Sequence, residues 1–150
     1  MKPPIISIVG KSNSGKTVLV EKLIKEIKKR GYRIGIIKHA HHRFTLDKRG
    51  KDSWRHKVAG ADTVVVLSPD KLAMVKDHND ESIDSLRKYF MDVDLVITEG
   101  FKRERKPKIE ILRGARNDKP LCGNDDSLIA LVTDTDTVLD VPTFGMEDIE

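Results

Sequence analysis

The sequence is poor in the residues that mark several common classes of protein. Cys122 is the single cysteine among 150 residues, which excludes an intramolecular disulfide and a cysteine-based zinc cluster. Aromatic residues make up only 5% of the chain, and they form no aromatic-and-basic ladder on which a single-stranded nucleic acid could stack. No apolar run approaches the length of a membrane span, and no signal-peptide core follows Met1. We therefore expect a cytoplasmic protein that binds neither nucleic acid nor membrane.

Charge, by contrast, is abundant. Charged side chains make up 35% of the residues, the formal net charge is +4 and the pI is about 9.1, a balance that favours anionic ligands. No internal repeat or low-complexity linker divides the chain, and 150 residues are enough to bury one core. We expect residues 1–150 to form a single domain.

Apolar periodicity predicts alternating strands and helices. The predicted strands cover residues 5–9, 33–38, 62–67, 72–75, 94–98, 108–112 and 128–132, and the predicted helices cover residues 16–30, 52–59 and 82–90. The first strand, helix and second strand form a β–α–β unit, which predicts parallel pairing. We therefore expect an α/β, three-layer P-loop NTPase fold: a mostly parallel sheet with helices on both faces and the ligand at the carboxyl ends of the strands.

A phosphate-binding pattern, G-x-x-x-x-G-K-[ST], stands between the first strand and the first helix. Backbone N–H groups of such a loop surround an anion together with the helix N-terminus, and its glycines permit the tight wrap. Lys16 is expected to reach the β- and γ-phosphates as a catalytic charge, and the Thr17 hydroxyl to ligate Mg²⁺. A chance match in a Gly/Ser turn is the alternative. The predicted nucleotide-binding residues here are Gly10, Ser12, Asn13, Ser14, Gly15, Lys16, Thr17 and Val18.

Two carboxylates are candidates for the magnesium site. Glu99 directly follows the strand at 94–98, where a P-loop site needs an acidic group to hold the water shell of the metal, whereas Asp94 begins that strand and belongs at the opposite edge. Asp52 is a candidate for a second, catalytic carboxylate near the metal, and helix N-capping is its equally good alternative. The predicted metal residues are thus Thr17, Asp52 and Glu99.

The last predicted strand ends in Thr133-Asp134-Thr135-Asp136. A carboxylate there could accept hydrogen bonds from guanine, as in the [NT]-K-x-D pattern of GTP-binding proteins. The lysine of that pattern is missing, and Asp134 occupies its place. Either Asp134 or Asp136 could bind the base, and a plain acidic turn is the alternative.

Histidines and basic residues cluster in two further loops. His39, His41 and His42 lack the cysteine or carboxylate pattern of a metal site, so we expect His39 and His41 to contact an anion or a pterin, with surface histidines as the alternative. The basic run Lys102–Lys108 follows Glu99 closely. It is either a solvated loop or a contact for a phosphorylated ligand or a partner.

Several of these segments together resemble the MobB family, the molybdopterin-guanine dinucleotide biosynthesis adaptor proteins. The resemblance covers nearly the whole chain, and the combination is specific although the P-loop alone is not. Besides the P-loop, its segments are Lys38-His39-Ala40-His41-His42 with Phe44 and Asp47, Gly50-Lys51-Asp52-Ser53, Ala59-Gly60-Ala61, Glu99-Gly100-Phe101-Lys102 and Pro107-Lys108-Ile109-Glu110.

The resemblance implies a GTP-binding protein with weak GTPase activity that uses Mg²⁺, forms a homodimer and assists the guanylyltransferase MobA, which joins GMP to molybdopterin. Molybdopterin would contact either this chain or only its partner. Thr17 and Glu99 would serve magnesium, and Asp52 with the histidine loop would line the active region. The family usually continues through a terminal helix, which we expect to be shortened or absent here since the sequence given ends at Glu150, and Ala40 stands where an acidic residue is common. Roles of that helix and of that acidic residue are not carried over.

Two other functions fit the same residues. A small-molecule kinase using ATP or GTP would need an acceptor pocket and a base, which the histidine loop could supply. A partner-binding protein whose P-loop merely holds an anion would need neither. For the GTP-binding adaptor we expect slow hydrolysis, because no glutamine or arginine is evidently placed in cis to act on the γ-phosphate. Arg43 or Arg49 could take that role, either in cis or across a dimer.

Overall fold

The computed structural model describes residues 2–40, 44–114 and 119–150. The chain divides into two compact units, one formed by Met1–His39 with Leu86–Glu150 and the other by Ala40–Ser85. The expectation of a single domain stays a prediction, and the two units are described separately.

The first unit contains a wholly parallel six-stranded sheet. Its strands are β1 (Ile5–Val9), β2 (Ile34–Lys38), β5 (Leu95–Glu99), β6 (Lys108–Leu112), β7 (Leu128–Thr133) and β8 (Thr143–Phe144), in the spatial order β2-β5-β1-β6-β7-β8. Helix α1 (Lys16–Lys29) connects β1 to β2. The predicted α/β fold with a mostly parallel sheet is confirmed. Strand β8, which is only two residues long, was not predicted.

The strand order decides which loops can meet. β1 lies in the middle, between β5 and β6, and Ile8 pairs with Glu99 in register. Because parallel strands end at the same edge, the loop after β1 lies next to the end of β5. Asp94, as expected, lies at the other edge, where its carboxylate accepts hydrogen bonds from the side chain and the backbone N–H of Arg33.

Apolar side chains cover both faces of this sheet. On one face, α1 packs through Leu19 and Val20 onto the sheet residues Ile8, Ile97, Ile111 and Val132. On the other face, Val9 packs with Cys122 and Leu128, and Leu139 and Val141 complete that cluster. Cys122 is buried, and burial raises the pKa of its thiol.

The second unit contains α2 (Asp52–Val58) and an antiparallel hairpin of β3 (Thr63–Leu67) and β4 (Leu72–Lys76). The two predicted strands therefore form a sheet of their own. The predicted helix at 82–90 is a short helix α3 (Ile83–Leu86) followed by a 3₁₀ turn at Arg87–Tyr89. Among the described residues, no helix has the length and apolarity needed to cross a membrane.

Candidate nucleotide-binding site

The loop from Gly10 to Gly15 joins the end of β1 to the start of α1, as predicted. Gly15 precedes the helix with φ of 96°, and Asn13 also has a positive φ, of 60°. The first intrahelical bond runs from the Leu19 N–H to the Gly15 carbonyl at 3.0 Å. The N–H groups of Lys16, Thr17 and Val18 therefore precede the helical ladder. No acidic residue stands in the first turn, so the positive end of the helix dipole is not neutralised by its own side chains.

Gly10 allows the loop to fold closely over the sheet. Its φ is 153°, and a Cβ placed there would lie 2.5 Å from the Ile111 carbonyl oxygen and 2.8 Å from Ser14 Oγ. The Ser14 side chain is buried, and its Oγ is the single buried side-chain polar atom without a hydrogen-bond partner in the described part of the chain. Leaving such a group unpaired costs about 1–3 kcal/mol. The loop is thus shaped for a ligand that brings hydrogen-bonding atoms, as a phosphate does.

Lys16 supplies the positive charge of this loop. Its Nζ donates to the carbonyl oxygens of Gly10 at 3.1 Å and of Lys11 at 2.5 Å, so the ammonium lies over the loop. Partial burial lowers the pKa of Lys16, Glu99 opposes that effect, and Lys38 adds to it. A cation held in place and partly desolvated interacts strongly with an anionic ligand.

Thr17 and Glu99, 82 residues apart in sequence, meet at this edge. Thr17 Oγ1 donates to Glu99 Oε1 at 2.9 Å, and the Glu99 side chain is 14% exposed. Lys38 Nζ lies 3.8 Å from the same oxygen. A hydroxyl and a carboxylate so placed are the oxygen ligands that Mg²⁺ takes beside a phosphate. Among the described residues, no group of three or more His, Cys, Asp or Glu side chains is arranged to hold a metal ion.

His39 lies beside the end of β5. Its backbone N–H donates to the Glu99 carbonyl at 3.1 Å, and its ring centroid is 4.7 Å from that of Phe101. Gly100, which precedes Phe101, has φ of 106°, and a Cβ built on it would lie 3.1 Å from His39 Cβ. The two segments therefore approach each other closely at this point. The other two residues of the predicted histidine loop, His41 and His42, lie outside the described residues.

The acidic turn after β7 lies at the same edge. Thr133, Thr135 and Thr137 hold it through hydroxyl contacts of 2.9 and 2.8 Å, while Asp134 and Asp136 alternate with them on its exposed side. Asp134 accepts a long hydrogen bond, 3.4 Å, from the Gly114 N–H, and its Oδ2 lies 3.5 Å from Arg113 Nε. Asp134 and Asp136 thus follow β7 at the carboxyl edge of the sheet, and their binding of a base stays a prediction.

Asp52 begins α2 in the second unit. It is strongly exposed, and its Oδ1 lies 3.9 Å from Arg55 Nη1, one helical turn on. No side-chain hydrogen bond caps α2, whose N-cap position is Lys51. The alternative role of Asp52 as a capping side chain therefore finds no support, and its catalytic and metal roles stay predictions.

Arg113 and Lys38 are the residues at this edge that sequence reasoning missed. A signal existed: each is the last residue of a predicted strand or the first after one, the same position that singled out Glu99.

A phosphate-shaped loop between β1 and α1, facing a carboxylate on the neighbouring parallel strand, defines the class of α/β proteins with a P-loop-type fold. A family model described as MobB, molybdopterin guanine dinucleotide synthesis protein B, matches residues 5–134. The chain belongs to this family.

Curated relatives and solved structures agree with this assignment. The chain is 43% identical over 133 residues to the molybdopterin-guanine dinucleotide biosynthesis adapter protein of Haemophilus influenzae, covering 87% of this chain and 74% of that protein. Identity to the Escherichia coli adapter protein is 35% over 153 aligned residues, with 98% and 87% coverage. A crystal structure of molybdopterin-guanine biosynthesis protein B superposes with a TM-score of 0.74 at 31% identity, covering 97% of this chain and 90% of that one. Bacillus subtilis MobB gives a TM-score of 0.75 at 27% identity, with 97% and 91% coverage.

Proposed function

We propose that this protein is a GTP-binding adapter in molybdopterin-guanine dinucleotide biosynthesis, with weak GTPase activity, and that it assists a MobA-type guanylyltransferase. The observation that carries the proposal is the hydrogen bond between Thr17 and Glu99 beside the loop at Gly10–Gly15. It brings a hydroxyl and a carboxylate suited to magnesium next to a loop suited to phosphate, at one edge of the sheet. The names of the relatives supply the pathway.

The loop would hold the phosphates of the nucleotide. The backbone N–H groups of the first turn of α1, from Lys16 to Val18, would bond phosphate oxygens, and the Ser14 hydroxyl would gain the partner that it lacks within the protein. The Lys16 ammonium carries charge complementary to the β- and γ-phosphates. Ser12 and Asn13 lie in the turn of the loop and shape the rim of the cradle.

Magnesium would be held by Thr17 directly and by Glu99 through the water shell. The hydrogen bond between them orients both oxygens toward one place. Bound Mg²⁺ neutralises phosphate charge and polarises the bond to the γ-phosphate. The protein's own part is to hold these oxygens close to the Lys16 charge.

We expect slow hydrolysis because the chain lacks a glutamine that could orient the attacking water. The sequence contains no glutamine, the residue that orients the attacking water in efficient GTPases. We propose Asp52 as the second, catalytic carboxylate near the metal. A slow GTPase retains its nucleotide long enough to act as a guanine-nucleotide-dependent adapter.

The partner contacts form the rest of the proposal. The ring pair of His39 and Phe101 beside Glu99 offers an aromatic surface suited to a pterin or an anion. A homodimer is favoured by the hairpin of the second unit, where Val65, Leu67 and Leu72 are exposed on one face. A two-stranded hairpin is marginal on its own and gains stability when such a face is buried. Light scattering of wild type and of Leu67→Lys tests this, since the substitution should shift the dimer toward monomer.

Calorimetric titration with GTP and with ATP, each with and without Mg²⁺, tests nucleotide binding. We expect Mg²⁺-dependent binding of GTP well above ATP. Lys16→Ala should weaken GTP binding at least about tenfold, because it removes a charge-assisted contact. Lys11→Ala is the matched control, since it removes an exposed lysine side chain from the same loop and keeps the backbone carbonyl that Lys16 contacts.

The outcomes separate the candidate functions. Equal or tighter binding of ATP would contradict the guanine assignment, and steady turnover with a phosphorylated small-molecule product would indicate a kinase. Partner binding that persisted in Lys16→Ala without any dependence on nucleotide would indicate a binding protein whose P-loop holds only an anion. GTP-dependent binding of the guanylyltransferase, lost in Lys16→Ala, would support the adapter.

A further inference from the structure

Arg113 lies between the two halves of the proposed nucleotide site. Strand β6 pairs with β1, which carries the P-loop, on one side and with β7, which carries the acidic turn, on the other. Neighbouring strands lie about 4.8 Å apart. A nucleotide with its phosphates at the P-loop and its base at Asp136 must therefore extend across the end of β6, and Arg113 is the first residue beyond that end.

The guanidinium of Arg113 occupies this crossing. Nη1 lies 4.0 Å from the position of a Cβ built on Gly15, and Nε lies 3.5 Å from Asp134 Oδ2. The Gly114 N–H donates to the second oxygen of the same carboxylate. Asp134 is thus turned toward the end of β6 by two contacts, while the Arg113 side chain remains 59% exposed and can present a planar face to a ligand.

The acidic turn lacks a cation of its own. Asp134 stands at the place where the [NT]-K-x-D pattern has lysine, and its carboxylate faces Arg113, the first residue after the neighbouring strand β6. Arg113, next to the end of β6, therefore supplies the positive charge that the acidic turn lacks. A guanidinium stacks on aromatic rings more favourably than an ammonium does, because it is planar and weakly hydrated.

We propose that Arg113 contacts the nucleoside part of the bound nucleotide, with its guanidinium against the base, and that Asp134 acts through Arg113 as a positioning residue. Asp136 is then the carboxylate that binds guanine. This inference rests on the proposed function, because it assumes that the P-loop holds a nucleotide.

Affinities for GTP and for inorganic tripolyphosphate, both with Mg²⁺, test the inference, because tripolyphosphate has the phosphates but no nucleoside. We expect Arg113→Ala to weaken GTP binding about tenfold, as for loss of one desolvated cation–π contact, and to leave tripolyphosphate binding within about twofold. Arg113→Lys keeps the charge without the planar face and should restore little. Asp134→Asn should weaken GTP binding in the wild type but not further in Arg113→Ala, because the two side chains act as one unit.

Arg33→Ala is the matched control. Arg33 also pairs with an aspartate, Asp94, and its exposure of 62% is close to that of Arg113, but the pair lies at the opposite edge of the sheet. This variant should leave the affinities for GTP and for tripolyphosphate unchanged. Its melting curve should show that it is folded.

Two results would overturn the inference alone: wild-type GTP affinity in Arg113→Ala, or equal weakening of GTP and tripolyphosphate, which would show a contact to phosphate. If the wild-type protein failed to bind GTP, whether or not it bound tripolyphosphate, the proposed function would be overturned and this inference with it.

Discussion

Lys108 and Asp125 form an ion pair in which only one partner can reach water. Lys108 Nζ lies 2.7 Å from Asp125 Oδ2, with the lysine side chain 1% exposed and the aspartate 34% exposed. Ser127 Oγ accepts a second hydrogen bond from the same ammonium. Nearby, Glu110 accepts hydrogen bonds from the backbone N–H groups of Leu121 and Cys122. The buried charges of β6 thus fix the segment that covers one face of the sheet.

This asymmetry predicts unequal effects of two substitutions. Asp125→Asn leaves the buried Lys108 ammonium without its anion and should lower the free energy of unfolding by about 3 kcal/mol. Lys108→Met removes the buried charge itself and should cost less, about 1–2 kcal/mol, because the exposed carboxylate turns to water. Urea unfolding measures both. Asp126→Asn, at an exposed neighbouring position, should stay within about 0.5 kcal/mol of wild type, and the opposite ranking of the first two variants would contradict the interpretation.

A second prediction concerns acid stability. Hydrogen bonds from the Arg33 side chain, and then from its backbone, lower the pKa of Asp94 from 3.8 to about 2. A carboxyl whose pKa is lower in the folded protein stabilises the fold fully above its unfolded pKa, and the contribution is lost as the pH falls to the folded value. The stability difference between wild type and Asp94→Asn should therefore be constant above about pH 5 and shrink between about pH 4 and 2. A difference that stayed constant over that interval would exclude this linkage.

Magnesium binding provides a third prediction. Glu99→Gln keeps the shape but removes the charge that faces Thr17, so the Mg²⁺ concentration needed to support GTP binding should rise about 10- to 100-fold. GTP binding without Mg²⁺ should change little. Asp52→Asn in the same titration shows whether Asp52 also serves the metal, because a metal ligand there would produce a comparable rise. Unchanged Mg²⁺ dependence in Glu99→Gln would remove Glu99 from the site.

The shape of the loop gives a fourth prediction. Gly10→Ala places a Cβ against the Ile111 backbone carbonyl, which cannot turn away as a flexible side chain could. It should lower the free energy of unfolding by about 1–3 kcal/mol and abolish measurable GTP binding. Gly31→Ala is the control: its φ is 87° but nothing lies within 4 Å, so it should cost about 1 kcal/mol and leave GTP binding intact. Normal nucleotide affinity in Gly10→Ala would contradict the cradle.

Where prediction from sequence succeeded, the deciding interactions were local. Helix α1 follows from apolar residues at helical spacing, and the observed end at Lys29 lies one residue from the predicted one. Asp94 and Glu99 were assigned to opposite edges from their positions before and after an apolar run, and the structure places them so. Strands β3 and β4 were both predicted from the sequence. No local pattern, however, indicates that they pair only with each other and do not join the main sheet.

The sequence by itself determined the phosphate loop, the parallel α/β class and the family resemblance, because each depends on residues that are contiguous or regularly spaced. The tertiary structure decided which strands are neighbours. That order brings Glu99 to Thr17 and sets Arg113 between Gly15 and Asp134. It also buries Lys108, although lysine side chains usually lie at the surface. Strand order arises from pairing and core packing between distant segments, and no pattern within one segment encodes it.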